Sequence, residues 1–176
     1  MAEAEFERLV RDFYTPLYRF ALALSRSESE ASDLTQQTFY LWASKGHQLR
    51  DRSKSKTWLF TSLYREHLTR KRHQDRFVDG AEEIEVATAP FPSAAMNHVD
   101  CAIAEKALLD LAAIYRLPLT LFYLQEHSYR EIAEILEVPI GTVMSRISRG
   151  KAELRRLLQE VASKRGASPN HGGARS

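Results

Sequence analysis

The sequence predicts an all-α chain of two small helical domains joined by a flexible linker, the second containing a helix-turn-helix. Three observations carry that prediction. Apolar residues recur at three-and-four spacing through most of the 176 residues, and valine and isoleucine never alternate with polar residues long enough for a strand. The composition breaks at "DGAEEIEVATAPFPSAAMNH", which is acidic, holds Pro90 and Pro92 and has no amphipathic period. Finally, "SYREIAEILEVPIGTVMSRISRGK" sets two short helices on either side of a proline, the second one basic.

The elements follow in order. Phe6, Leu9, Val10, Phe13, Leu17, Phe20, Ala21 and Leu24 define a first helix, which Pro16 is expected to kink or divide. "SESEASDLTQQTFYLWAS" is a second helix, with a serine cap and acids in its first turn. "KGHQLRDRSKS" has almost no apolar content and is a basic loop. A third helix, from Lys56 to His73, turns Trp58, Leu59, Leu63 and Leu68 towards a core. Residues 1–73 therefore form the first domain and 74–101 the linker. Helical periodicity returns with Ile103, Ala107, Leu108 and Leu111, and again with Leu119, Phe122 and Tyr123, giving a second domain over 102–160. The tail, 161–176, is glycine- and serine-rich and expected to be disordered.

Charge is strongly segregated behind a net +2. Residues 45–76 carry ten Lys/Arg against three Asp/Glu, and residues 140–156 carry five against one. Between them, residues 77–139 carry three Lys/Arg and eleven Asp/Glu. Two basic blocks separated by an acidic one suggest two sites facing a polyanion, where a randomly solvated surface would mix its signs. No run of eighteen apolar residues offers a membrane span, and "MAEAEFERLV" lacks the profile of a signal peptide. Cys101 is the only cysteine, so no internal disulfide forms, which fits a cytoplasmic protein without membrane insertion.

The helix-turn-helix is the most informative stretch. Ser128 and Glu131 form a capping box, and Ile132, Ala133, Ile135 and Leu136 supply the buried side of its first helix. Pro139 ends that helix and suits the first turn of the next. At about 100° per residue, Ile140, Val143, Ile147, Gly150 and Leu154 share one side of the second helix. Opposite lie Gly141, Ser145, Ser148, Arg149, Ala152 and Arg156, with Thr142, Arg146 and Lys151 on the flanks. Small residues permit close approach to a major groove, hydroxyls bond bases or phosphates, and arginine binds guanine bidentately. The alternative, an ordinary surface helix, would intersperse glutamate with its basic residues.

"LPLTLFYLQEHSYREIAEILEVPIGTVMSRISRGKAELRRLL" resembles the C-terminal domain of the extracytoplasmic-function (ECF) sigma factors, the small two-domain branch of the bacterial sigma-70 family. The resemblance lies in Leu117-Pro118, Ser128 to Ala133, and Pro139 to Arg146. "EASDLTQQTFYLWAS" resembles the helix of sigma region 2, through Asp33, Leu34, Gln36, Thr38 and Phe39, and "KTWLFTSLYREHLTRKRH" resembles the helix after it. The two matches occur in the family's order and span roughly residues 5–73 and 103–158.

The resemblance implies a factor that binds core RNA polymerase and directs promoter-specific initiation by reading −35 and −10 elements. It implies that Asp33, Gln36, Gln37 and Tyr40, spaced by three and four, dock on the β′ clamp helices, with the β flap as a second polymerase contact. Gln37 replaces the commoner glutamate, which lowers the charge of that contact. It implies that "KGHQLRDRSKS" captures a flipped −10 base, so the candidate −10 residues are Lys45, His47, Gln48, Arg50, Arg52, Lys54, Lys56, Arg65, Arg70, Lys71 and Arg72. Trp58 is either a stacking platform there or a core residue, and its helical spacing favours the core. The candidate −35 residues are Gly141, Thr142, Met144, Ser145, Arg146, Ser148, Arg149 and Lys151. Met144 stands where many members carry Lys or Arg, and an apolar contact with a thymine methyl group would suit it. An anti-sigma factor is a further implied partner. Glu82, Glu83 and Glu85 of the linker are either a mimic of RNA charge in the polymerase channel or a solubilising tether.

No catalytic residues, metal or cofactor are expected. The six histidines are scattered, no glycine-rich phosphate loop occurs, and His98-x-x-Cys101 lacks a second ligand pair. Two other readings compete with an initiation factor. A sigma-like decoy that only binds an anti-sigma factor would not need the basic DNA faces. A non-sigma helix-turn-helix regulator leaves Asp33 to Phe39 unexplained.

Overall fold

The structure is a computed structural model that describes residues 3–77 and 98–166. Seven α-helices run through them, and no strand occurs among the described residues. An N-terminal bundle comprises α1 (Glu3–Ser25), α2 (Glu28–Lys45) and α3 (Ser55–Phe77). A C-terminal bundle comprises α4 (His98–Asp110), α5 (Ala113–Leu119), α6 (Tyr129–Leu136) and α7 (Ile140–Gly166). A π turn over Thr120–Leu124 extends α5, and two 3-10 turns, Gly46–Gln48 and Arg52–Lys54, shape the basic loop.

Pro16 lies inside α1 without dividing it. Its missing N–H removes one intrahelical bond, and the burial of Leu17, Phe20, Ala21 and Leu22 immediately afterwards carries the helix through. Ser27 caps α2 by accepting the Glu30 amide, with Glu28 and Glu30 in the first turn as the macrodipole favours. α3 continues to Phe77 and α4 starts at His98, so helix reaches into both ends of the stretch expected as linker. Its middle, with Glu82, Glu83 and Glu85, lies outside the described residues; α7 runs to Gly166, so residues 161–166 of the tail expected to be disordered are helical, and the rest of that tail lies outside the described residues.

Trp42 is 1% exposed and packs edge-on against the half-buried Trp58, their ring centroids 5.1 Å apart, which places both indoles in the core of the N-terminal bundle. The backbone passes so close to Trp42 at Gly46 that an added Cβ would lie 2.6 Å from the ring, so only glycine fits there. Gly150 does the same for the C-terminal bundle, where a Cβ would meet Leu119 at 2.8 Å and separate α5 from α7. The two bundles pack on each other: Leu17, Phe20, Phe60 and Leu63 belong to one hydrophobic cluster with Leu119, Ile132, Ile135 and Val143.

Candidate nucleic-acid and polymerase interfaces

The helix-turn-helix forms as its capping chemistry requires. Ser128 Oγ accepts the Glu131 amide, and Glu131 Oε2 accepts the Ser128 amide at 2.8 Å. That bonding holds the Glu131 carboxyl below its usual range against the opposing effect of burial. α6 ends at Glu137, whose backbone is left-handed at φ 55, and its N–H bonds the Ala133 carbonyl. Pro139 lies just outside α7, which starts at Ile140, and its carbonyl accepts the Thr142 amide.

Val143 and Ile147 are fully buried and anchor α7. Ile140 is not part of that anchor: it is 48% exposed, at the first residue of α7. Gly141, Met144, Ser145, Ser148 and Arg149 are exposed on the opposite face, while Thr142, Arg146 and Lys151 are half-buried flanks. Ser145 Oγ donates to the Thr142 carbonyl at 3.0 Å. Lys151 Nζ sits over the rings of Phe122 and Tyr123 at 5.5 and 5.4 Å, and a hydrogen bond with Tyr123 raises its pKa. Arg156 is tied along its own helix to Glu153 and Glu160.

In the basic loop, Asp51 caps the second turn by accepting from Ser53 N at 3.0 Å and Ser53 Oγ at 2.6 Å, which depresses its pKa. Lys45, His47, Gln48, Arg50 and Lys54 are exposed around it. Arg52 is exposed as well, but its side chain lies over Trp42, 5.7 Å from the ring, and donates to the Gly46 carbonyl. Lys71 and Arg72 are exposed on α3, and Arg70 is paired with Glu66 at 3.1 Å. Asp33, Gln36, Gln37 and Tyr40 line one shallow surface, and Arg70 joins them there rather than the loop. Tyr40 is 66% exposed.

Two buried polar residues of the C-terminal bundle, Arg116 and His127, are not marked by any motif in the sequence. Arg116 is 5% exposed and donates to three backbone carbonyls, those of Ala23 (2.7 Å), Leu109 (3.0 Å) and Leu111 (2.6 Å). Burial lowers its pKa to about 10, so it stays charged at neutral pH. His127 is 2% exposed and meets Phe60 of α3 edge-on at 4.7 Å. Neither of its ring nitrogens finds a hydrogen-bond partner among the described residues. Burial, helped by nearby Lys56, lowers its pKa to about 4. A lone arginine inside the apolar stretch "AIYRLPLTLFYL" was the one available signal for Arg116.

A capped helix-turn-helix with a small, basic outer face, packed on a second helical bundle with a basic loop, defines a two-site DNA-binding protein. Comparison with known proteins names the class more closely. Residues 9–77 match the family "Sigma-70 region 2" and residues 102–154 match "Sigma-70, region 4". The ECF RNA polymerase sigma factor SigW of Bacillus subtilis is 28% identical over 89% of this chain and 90% of its own length. SigE of Mycolicibacterium smegmatis is 30% identical over 92% of this chain and 65% of its own length. Among solved structures, the sigma factor RpoE of Bartonella quintana, crystallised with the anti-sigma factor NepR, superposes with a TM-score of 0.74 at 30% identity, covering 88% of this chain and 97% of that one. The chain belongs to the ECF branch of the sigma-70 family and acts with core RNA polymerase and promoter DNA in transcription initiation. No described helix is long and apolar enough to cross a membrane, and no described group of His, Cys, Asp and Glu could hold a metal.

Proposed function

We propose that α7 reads the −35 element through Gly141, Thr142, Met144, Ser145, Arg146, Ser148, Arg149 and Lys151. The loop of Lys45, His47, Gln48, Arg50 and Lys54, extended by Arg52, Lys56, Arg65, Lys71 and Arg72, holds the −10 element. Asp33, Gln36, Gln37 and Tyr40 dock on the β′ clamp helices, with Arg70 at the edge of that face. The observation that carries this reading is the division of α7: Val143 and Ile147 are buried while Met144, Ser145, Ser148 and Arg149 stand exposed after a fully capped α6. A carboxylate placed among phosphates would be repelled, so Ser145→Glu is expected to abolish −35-dependent promoter binding and leave the affinity for core polymerase unchanged. Electrophoretic shift with a promoter fragment, beside a core-binding titration, tests this. Equal loss of both activities would overturn the division of labour. The RpoE structure, solved with NepR, supports an anti-sigma factor as a further partner of this chain.

A further inference from the structure

Ile140 shares the apolar arc of α7 with Val143 and Ile147 but is absent from the hydrophobic cluster that holds both of them. Met144, one turn further on, is exposed as well. Six large hydrophobic side chains are exposed among the described residues, and only these two lie within four residues of each other. Hydrophobic side chains exposed singly are ordinary on a protein surface. A separation of four residues instead brings this pair to within about 40° around the helix and about 5–6 Å between Cβ atoms, so the two form one apolar patch. Gly141 lies beside it, and a Cβ added there would meet nothing within 4 Å. Packing within the chain therefore does not call for glycine, which is among the poorest helix formers. What the glycine supplies is close access to the helix from outside. Ser145, Ser148 and Arg149 are exposed around the same approach, and no acidic side chain occurs from Pro139 to Ala152.

We propose that Ile140 and Met144 form a thymine reader, in which each side chain packs against the C5 methyl of a thymine in the −35 element. That methyl is the apolar feature a base pair presents in the major groove. A recognition helix brings the residues at its N-terminal end to the base edges, and Ile140 is the first residue of α7. The spacing of the pair, about 5–6 Å, spans one to two base steps of 3.4 Å, so the two thymines stand one or two base pairs apart. Ile140 is thereby a specificity-determining residue and not a member of the core. The reader rests on the assignment of α7 to the −35 element given under the proposed function.

The test uses the full chain assembled with core RNA polymerase. Promoter duplexes randomised across the −35 segment are selected for binding, and the recovered sequences are expected to carry thymine at two positions one or two steps apart. Uracil pairs as thymine does but lacks the C5 methyl, so each thymine of a selected duplex is replaced in turn by uracil. Burial of one such group is worth about a four-fold change in affinity, so uracil at either position should weaken wild-type binding about four-fold, read by fluorescence anisotropy. Ile140→Ala should be indifferent to uracil at one position and Met144→Ala at the other, each keeping the response it does not itself supply. Alanine is the strongest helix former, so both variants keep α7 helical, and the wild-type arm needs no variant. Selected sequences without such a thymine pair, wild-type affinity unmoved by uracil, or an Ile140→Ala loss equal on thymine and uracil duplexes would overturn the reader. A loss of affinity for core polymerase in Ile140→Ala, with its response to uracil intact, would overturn it too and assign the patch to the polymerase. If Ser145→Glu leaves promoter binding unaltered, the assignment of α7 itself fails, and the thymine reader with it.

Discussion

Protonation of one side chain, His127, should loosen this structure under mildly acidic conditions. The imidazole is enclosed between Phe60 and the start of α6, with Glu131 Oε1 3.9 Å from Nδ1, too far for a hydrogen bond. Burial is the main cause of its depressed pKa and Lys56 adds to it, while Glu131 pulls weakly the other way. A histidine depressed from 6.5 to about 4 contributes stability that is fully present above pH 6.5 and is lost as the pH falls towards 4. By linkage the loss is about 0.2 kcal/mol at pH 7 and about 2 kcal/mol at pH 5. Urea midpoints measured at pH 7, 6 and 5 for wild type and His127→Phe check this. Phenylalanine keeps the edge-on contact with Phe60 and removes two unpaired nitrogens, so the variant should be at least as stable at pH 7. Its stability should fall by about 2 kcal/mol less than that of wild type between pH 7 and pH 5. His67, also lowered by burial and facing Glu30, titrates in both proteins and cancels in the difference. Parallel pH profiles would refute the reasoning.

Two other outcomes follow from side chains already placed. Arg116→Met keeps the aliphatic volume but leaves the carbonyls of Ala23, Leu109 and Leu111 without their shared donor, and should cost about 3–5 kcal/mol in urea unfolding; a loss below about 1 kcal/mol would contradict its structural role. Met144→Arg adds a cation to the exposed face of α7, 53% exposed at that position, and should steepen the salt dependence of promoter binding by about 0.9 in log K against log salt, read by fluorescence anisotropy.

What the sequence made legible was local. The Ser128–Glu131 box, the serine at the start of α2 and the burial of Val143 and Ile147 each follow from groups within four residues of one another. Ile140 falls on the same arc of the helical wheel yet stays exposed, because a wheel records angle and not whether a neighbouring helix extends that far. The same limit hid Arg52: its position in a basic loop suggested phosphate, whereas proximity to Trp42 and the Gly46 carbonyl decides where it points. Arg116 and Ala23 are 93 residues apart, and Thr57 and Glu131 are 74 apart. No periodicity in a single chain encodes which faces of two amphipathic bundles meet. Those pairs became visible only once the bundles were set against each other.

The two carboxylates of the junction are chemically similar but not equivalent in what they can control. Glu131 divides its oxygens: Oε2 caps α6 through Ser128, and Oε1 accepts from Thr57 across the interface. Any change to the Glu131 carboxylate that removes the Thr57 contact also removes the half of the capping box that satisfies the Ser128 amide, although Ser128 Oγ still accepts the Glu131 amide. Glu137 carries no such second duty, since its backbone, and not its carboxylate, ends α6. The contact between the bundles can therefore be adjusted at the Glu137–Arg65 pair, where Arg65 Nε donates to Glu137 Oε1 at 2.6 Å, without touching the capping of the helix-turn-helix. Because both groups are well exposed, that pair is also weak and sensitive to salt.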